Sequence, residues 1–157
     1  MELLVWMEGT ALAAFVRTVA WVYPAVETAH YVGLTFLVGS IMLIDLRLLG
    51  FAPSLPMSSM IGLLPWVWVG FVINVISGSV MFVYGATNFG TNSVFWLKML
   101  FMVLAGANAL VFTLTAARSG SQWLDTGSVP PLVKLVATAS LVLWVCVVTT
   151  GRWMAYI

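Results

Sequence analysis

Charge is the scarcest ingredient of this sequence. Its 157 residues include six Lys and Arg, five Asp and Glu and one histidine, so 7% are charged and the net charge is +1. A water-soluble domain needs roughly 25% charged residues to cover its surface, so a surface of this composition must face lipid. A net charge near zero gives no electrostatic case for nucleic acid or an acidic substrate. The single cysteine, Cys146, excludes an internal disulfide framework. It lies in an apolar run and reads as a small buried or lipid-facing side chain. The single histidine, His30, excludes any site that needs two imidazoles from one chain. There is no Gly-rich phosphate loop, no paired-cysteine metal motif, and no nucleophile with a histidine at family spacing. The chain opens Met1-Glu2, with an acid where a cleavable signal carries basic residues, so the first span is expected to direct insertion.

What the chain has in abundance is apolar length. Hydrophobic residues make up 62%, and the mean hydropathy is +1.10. A membrane-spanning helix needs about 20 mostly apolar residues, and four stretches qualify, at about 23–45, 60–84, 94–117 and 131–154. Pro24 enters the first and Pro130-Pro131 the fourth, while Pro65 either kinks the second or marks its true start. Thr87–Ser93 gives turn chemistry before the third. Residues 1–22 are long enough to span, but Glu8 and Arg17 would then lie in hydrocarbon, and Tyr23-Pro24 leaves no room for a loop. A weakly amphipathic interfacial helix anchored by Trp6 and Trp21 is the preferred reading, with a fifth span as the alternative. The expected fold is all-α: one transmembrane domain, a four-helix bundle of antiparallel neighbours with an N-terminal interfacial helix.

Basic residues divide three and three between the two sides: Arg47, Arg118 and Lys134 against Arg17, Lys98 and Arg152. If Lys98 and Arg152 serve a site rather than topology, the first three mark the cytoplasmic face and both termini lie outside. The expected location is a bacterial inner membrane, multi-pass. Small residues on several faces predict a homo-oligomer or a subunit of a membrane complex.

Ionisable groups inside spans are costly, and each is a candidate functional residue. Helix direction brings several of them to one depth. Glu27 and His30 fall one to two turns below the outer surface on the first span, Lys98 at a similar depth on the third, and Arg152 near the end of the fourth. Gly33 and Ala29 leave small surface beside His30, where a backbone or a flat ligand could approach. Lys98, Met102, Ala105 and Ala109 form one stripe of the third span. Gly70, Asn74, Gly78 and Met81 share a face of the second, and Asn108 sits mid-membrane in the third.

Two chemistries fit that pattern. In one, His30 is the axial ligand of a haem b iron, Lys98 and Arg152 neutralise its propionates, Gly33 makes room for the ring, and a methionine such as Met102 offers a second ligand. This gives an electron-transfer protein or a quinone-linked oxidoreductase. In the other, Glu27 pairs with Arg152 or Lys98 and the cluster only holds helices together, as in a non-catalytic structural or accessory subunit. A small oligomeric carrier or channel is the third reading, although only Asn74 and Asn108 lie between the charged ends. Asp45 and Arg47, two residues apart, point in different directions on a helix and read as anchors of the span end. Ser77, Ser79 and Thr113 are expected to bond their own helix backbones.

The runs ETAHYVGLTFLVGSIMLIDLRLLG (Glu27–Gly50), LPWVWVGF (Leu64–Phe71), WLKMLFMVLAGANALVF (Trp96–Phe112) and GRWMAYI (Gly151–Ile157) resemble a bacterial family of small four-span membrane proteins of unknown function. The resemblance covers residues 20–157. It places His30, Asp45, Arg47, Lys98, Asn108, Gly151 and Arg152 within the family's motifs. Relatives often carry a histidine where Thr113 stands here, so this chain lacks that second donor. The resemblance implies a fold and no activity. A looser likeness, in helix number and a histidine near the outer surface, is to membrane b-type cytochromes and copper-resistance membrane proteins, and it is one of fold alone.

Overall fold

The structure, a computed structural model, describes residues 1–119 and 129–156. The side chain of Arg118, counted above among the cytoplasmic charges, lies outside the described residues. Two short helices come first, α1 (Glu2–Glu8) and α2 (Ala11–Thr18). Then follow α3 (Val22–Leu48), the short α4 (Met57–Ile61), α5 (Leu64–Tyr84), the short α6 (Ala86–Thr91), α7 (Ser93–Ser119) and α8 (Pro131–Trp153). Four of these, α3, α5 with the turn before it, α7 and α8, are long and apolar enough to cross a membrane. Twenty-seven residues in α3 rise about 40 Å at 1.5 Å each, more than a hydrocarbon layer of about 30 Å requires. The protein is thus an all-α bundle and a small membrane protein.

Proline sets the starts. Pro65 occupies the first turn of α5, and Pro131 opens α8, where a missing N–H breaks no helical bond. Pro65 therefore marks a start and not a kink. The end of α3 is closed by Gly50 at φ +100, whose amide donates to Arg47 O while that of Phe51 donates to Leu46 O. Only glycine takes that left-handed conformation without steric cost.

The bundle is inside-out relative to a soluble one. Large apolar side chains such as Trp68, Ile76, Val103, Leu110 and Leu135 are exposed, whereas Gly33, Ser40, Gly70, Ser77, Ala105, Ala137, Ser140 and Thr150 are buried. Lipid is as apolar as leucine, so burial of large side chains drives nothing here, and close approach through small residues takes over. At Gly33 an added Cβ would lie 2.6 Å from Asn74 Nδ2 and 2.8 Å from Ile73 Cγ2, which shows how near α5 comes. Two antiparallel hairpins result, α3–α5 and α7–α8, joined by a narrower seam between α3 and α8. The remaining side is open. Over most of their length α5 and α7 stay apart, meeting near one end where the Phe82 and Phe95 rings stack 5.3 Å apart. At the opposite end Leu48, Met57, Met60, Val133 and Ala137 form a compact apolar plug, with α4 folded beneath α3 and α8.

The single interfacial helix expected over 1–22 is two helices. Thr10 separates them as the N-cap of α2, its Oγ1 accepting from the Ala13 amide at 3.4 Å, a bond that makes a new start cheaper than continuing past Gly9. The charges that argued against a fifth span are used on the bundle instead. Glu8 Oε1 accepts from the Thr87 amide at 2.8 Å and from its hydroxyl at 2.5 Å. Arg17 donates to Tyr84 O at 3.0 Å and lies 3.9 Å from Glu8. Leu4 packs over Gly90, and Ala13 and Val16 are buried. The two short helices are therefore clasped to the α5–α6 corner.

That clasp depends on pH. The Thr87 hydroxyl and then its amide hold the Glu8 carboxyl below the usual carboxylate value, with the Arg17 charge adding to them. Stability from the clasp is then complete above the ordinary carboxylate value and drains as pH falls through the lower folded value. We expect Glu8→Gln to speed amide exchange in α1 and α2 at neutral pH while leaving α3 and α8 protected. Equal exchange in variant and parent would show that the clasp contributes nothing.

Candidate functional site

His30 faces α5 from the third turn of α3. Its Nδ1 lies 2.9 Å from Ser77 Oγ, and Ser77 Oγ lies 2.6 Å from Ile73 O. A serine hydroxyl has one proton to give. Ser77 donates it to the Ile73 carbonyl, one turn back on its own helix, so it accepts from His30 Nδ1–H. In the neutral imidazole the lone pair then resides on Nε2. The ring edge lies over Gly78, whose added Cβ would sit 3.4 Å from His30 Cε1.

Lys98 approaches from α7. Its stem crosses Gly151 of α8, with Cε 3.6 Å and Nζ 3.7 Å from where a Cβ would stand. The ammonium comes within electrostatic reach of the imidazole. Among the described residues it forms no ion pair. Four helices, α3 with α5 at His30 and α7 with α8 at Lys98, thus bring an imidazole with a free nitrogen near a cation that has no ion pair among the described residues, beside the open side of the bundle between α5 and α7.

Other residues singled out from the sequence are not gathered there. Gly33, expected to give space to a flat ring, instead gives it to Asn74 and Ile73 of α5, because the helices touch at that point. Met102, expected near the iron, is 37% exposed. Arg152 is exposed and turned to its own chain end, donating to the Tyr156 hydroxyl with its guanidinium 4.9 Å from that ring's centroid. Glu27 is half-buried and accepts from the Tyr31 hydroxyl at 3.4 Å, one turn on. It forms no ion pair with Lys98 or Arg152. Asp45 and Arg47 do part company. Asp45 is buried, whereas Arg47 donates to the carbonyls of Leu55 (2.7 Å) and Pro53 (3.3 Å) in the following loop.

Two amides brace the walls. Asn108 Nδ2 donates to Val136 O at 3.1 Å and ties α7 to α8. Asn74 Nδ2 donates to Gly70 O at 2.8 Å, and its buried Oδ1 has no partner among the described residues. Sequence reasoning saw Ser77 only as bonding its own helix. That bond exists, and it is what leaves the hydroxyl oxygen free to orient His30. A signal was present: Gly70, Asn74 and Ser77 recur at spacings of four and three, which puts them on one helical face.

No three His, Cys, Asp or Glu side chains converge among the described residues to hold a bare metal ion. An open apolar groove lined by Pro24, Ala25, Thr28, Ala29, Val32 and Ile73 runs along α3 and α5, and His30 does not line it. No curated protein and no solved structure matches the chain. A family of unknown function matches residues 3–157. With practically its whole length covered, the chain belongs to that family, DUF6644.

Proposed function

We propose that this protein binds a b-type haem in the membrane, with His30 Nε2 as axial ligand and Lys98 as the counter-charge to a propionate. The observation that carries the reading is the fixed histidine. A ligand imidazole needs its other nitrogen committed to a partner that sets tautomer and orientation, and Ser77 supplies that partner. A haem brings four nitrogen donors of its own and asks the protein for one or two, so a single His30 suffices where a bare ion would need a cluster. With no acid paired to Lys98 among the described residues, a cation at that depth is costly, and an anionic ligand would compensate it. The gap between α5 and α7 offers an approach from the lipid.

The site relies on His30 and Lys98, without Gly33, Met102 or Arg152. The rival reading, in which the charges only tie helices together, has no Glu27 ion pair to rest on. Protein purified from haem-sufficient cells is expected to be red, with a Soret band and about one haem per chain by pyridine haemochrome assay. Colourless protein that also fails to take up added hemin overturns the proposal.

A further inference from the structure

We infer that Asp45 is a proton-binding site, a carboxylic acid held against Ser140 in the seam between α3 and α8, at the end of the bundle remote from His30. Asp45 is 6% exposed, and its Oδ2 has no hydrogen-bond partner among the described residues. Ser140, 8% exposed, is the polar side chain that reaches it from α8. The apolar plug begins one turn further along both helices, with Leu48 three residues after Asp45 on α3 and Ala137 three residues before Ser140 on α8, where Met57 and Met60 of α4 and Val133 join them.

The described charged groups of the packed elements do not serve it. Arg47, next on α3, is engaged with the carbonyls of Leu55 and Pro53. Lys134, the basic residue in the first turns of α8, is exposed. Helix α4 carries no charged residue. Among the described residues no cation forms an ion pair with Asp45.

Among the described residues, a carboxylate in that position would bear a full charge without a counter-ion and one oxygen without a donor. Such a group is far more costly buried than its neutral acid. Two occupants could remove the charge, a metal cation or a proton. Hard divalent cations take six or more oxygen ligands, and the seam supplies one carboxyl and one hydroxyl. A proton needs only the carboxyl. Asp45 therefore folds as an acid, with Ser140 as the neighbouring hydrogen-bonding group.

Position gives this proton a consequence. The α3–α8 seam is the joint between the two hairpins. Loss of the proton places a bare charge in that joint, so proton occupancy and closure of the joint are coupled. This inference stands apart from the haem reading and shares no residue with it.

Infrared spectroscopy of the full chain in lipid vesicles tests it directly. Asp45 and Asp125 are the only aspartates, so aspartate-selective ¹³C labelling isolates their bands. The expected result is a protonated carboxyl stretch at neutral pH that moves with the label, survives Asp125→Asn and vanishes in Asp45→Asn. Ser140→Ala should shift the band without removing it, which provides a second readout should Asp45→Asn fail to fold. A labelled sample showing only carboxylate at neutral pH overturns the inference, as does a band indifferent to both Asp45→Asn and Ser140→Ala.

Discussion

Replacing His30 with alanine is expected to abolish the Soret band while the chain still inserts and folds. The iron loses its protein bond, and the described residues offer no second imidazole, since the chain has one histidine. Folding should survive because His30 contributes a single side-chain bond, to Ser77, worth about 1 kcal/mol net. Ser77→Ala separates ligation from orientation. It leaves the ligand in place but removes the acceptor that fixes Nδ1–H, and loss of such a partner lowers affinity by about 10–100-fold. Hemin titration of the apo-protein, read in the Soret region, measures both effects. Lys98→Ala should retain the band and weaken retention modestly. A wild-type spectrum kept by His30→Ala would remove His30 from the site and leave the presence of haem standing.

A larger effect on stability is expected from Gly70→Ala. An added Cβ would meet the Leu37 amide nitrogen, the Gly33 carbonyl oxygen at 2.6 Å and Leu37 Cβ at 2.9 Å. These are mostly backbone atoms of the facing helix, so no side chain can swing aside to make room. Overpacking commonly costs 1–3 kcal/mol, and with a rigid neighbour we expect a loss of about 3 kcal/mol, with the α3–α5 hairpin splayed. Gly106→Ala is the matched control. No atom lies within 4 Å of its added Cβ, so the same chemical change on α7 should be nearly neutral. Denaturation of the three proteins in one detergent measures the contrast. Equal stability of Gly70→Ala and Gly106→Ala would mean that the helices do not cross at Gly70.

Much of the fold was readable beforehand because lipid imposes so simple a rule. A span must satisfy its own backbone and be apolar along its length, and both demands are met within one helix. The runs around 23–45, 60–84, 94–117 and 131–154 therefore announce themselves, and a proline before or within the first turn of the first, second and fourth nearly dates its start. Residues 1–22 were harder. The break at Thr10 and the clasp of Glu8 on Thr87 unite groups far apart in sequence, and neither has a periodic signature.

The candidate site divides in the same way. That His30, Lys98, Glu27 and Arg152 share a depth follows from helix direction and rise alone. Depth does not fix azimuth, however. Rotation about each helix axis is set by which small residues meet, and this turned Met102 and Arg152 outward, brought Gly33 against α5 and left Glu27 beside Tyr31.

By itself, then, the sequence determined that this is an all-α membrane protein with a lone imidazole and a few costly charges in its spans. Hydropathy and length act residue by residue, and they needed no partner to be read. Tertiary structure alone decided that His30 Nδ1 meets Ser77, that Lys98 crosses Gly151 with no ion pair among the described residues, and that Asp45 faces Ser140 while Arg47 turns to the loop. Each of these depends on which faces of two helices touch, and in a bilayer that choice belongs to close packing at a handful of glycines rather than to any apolar stripe.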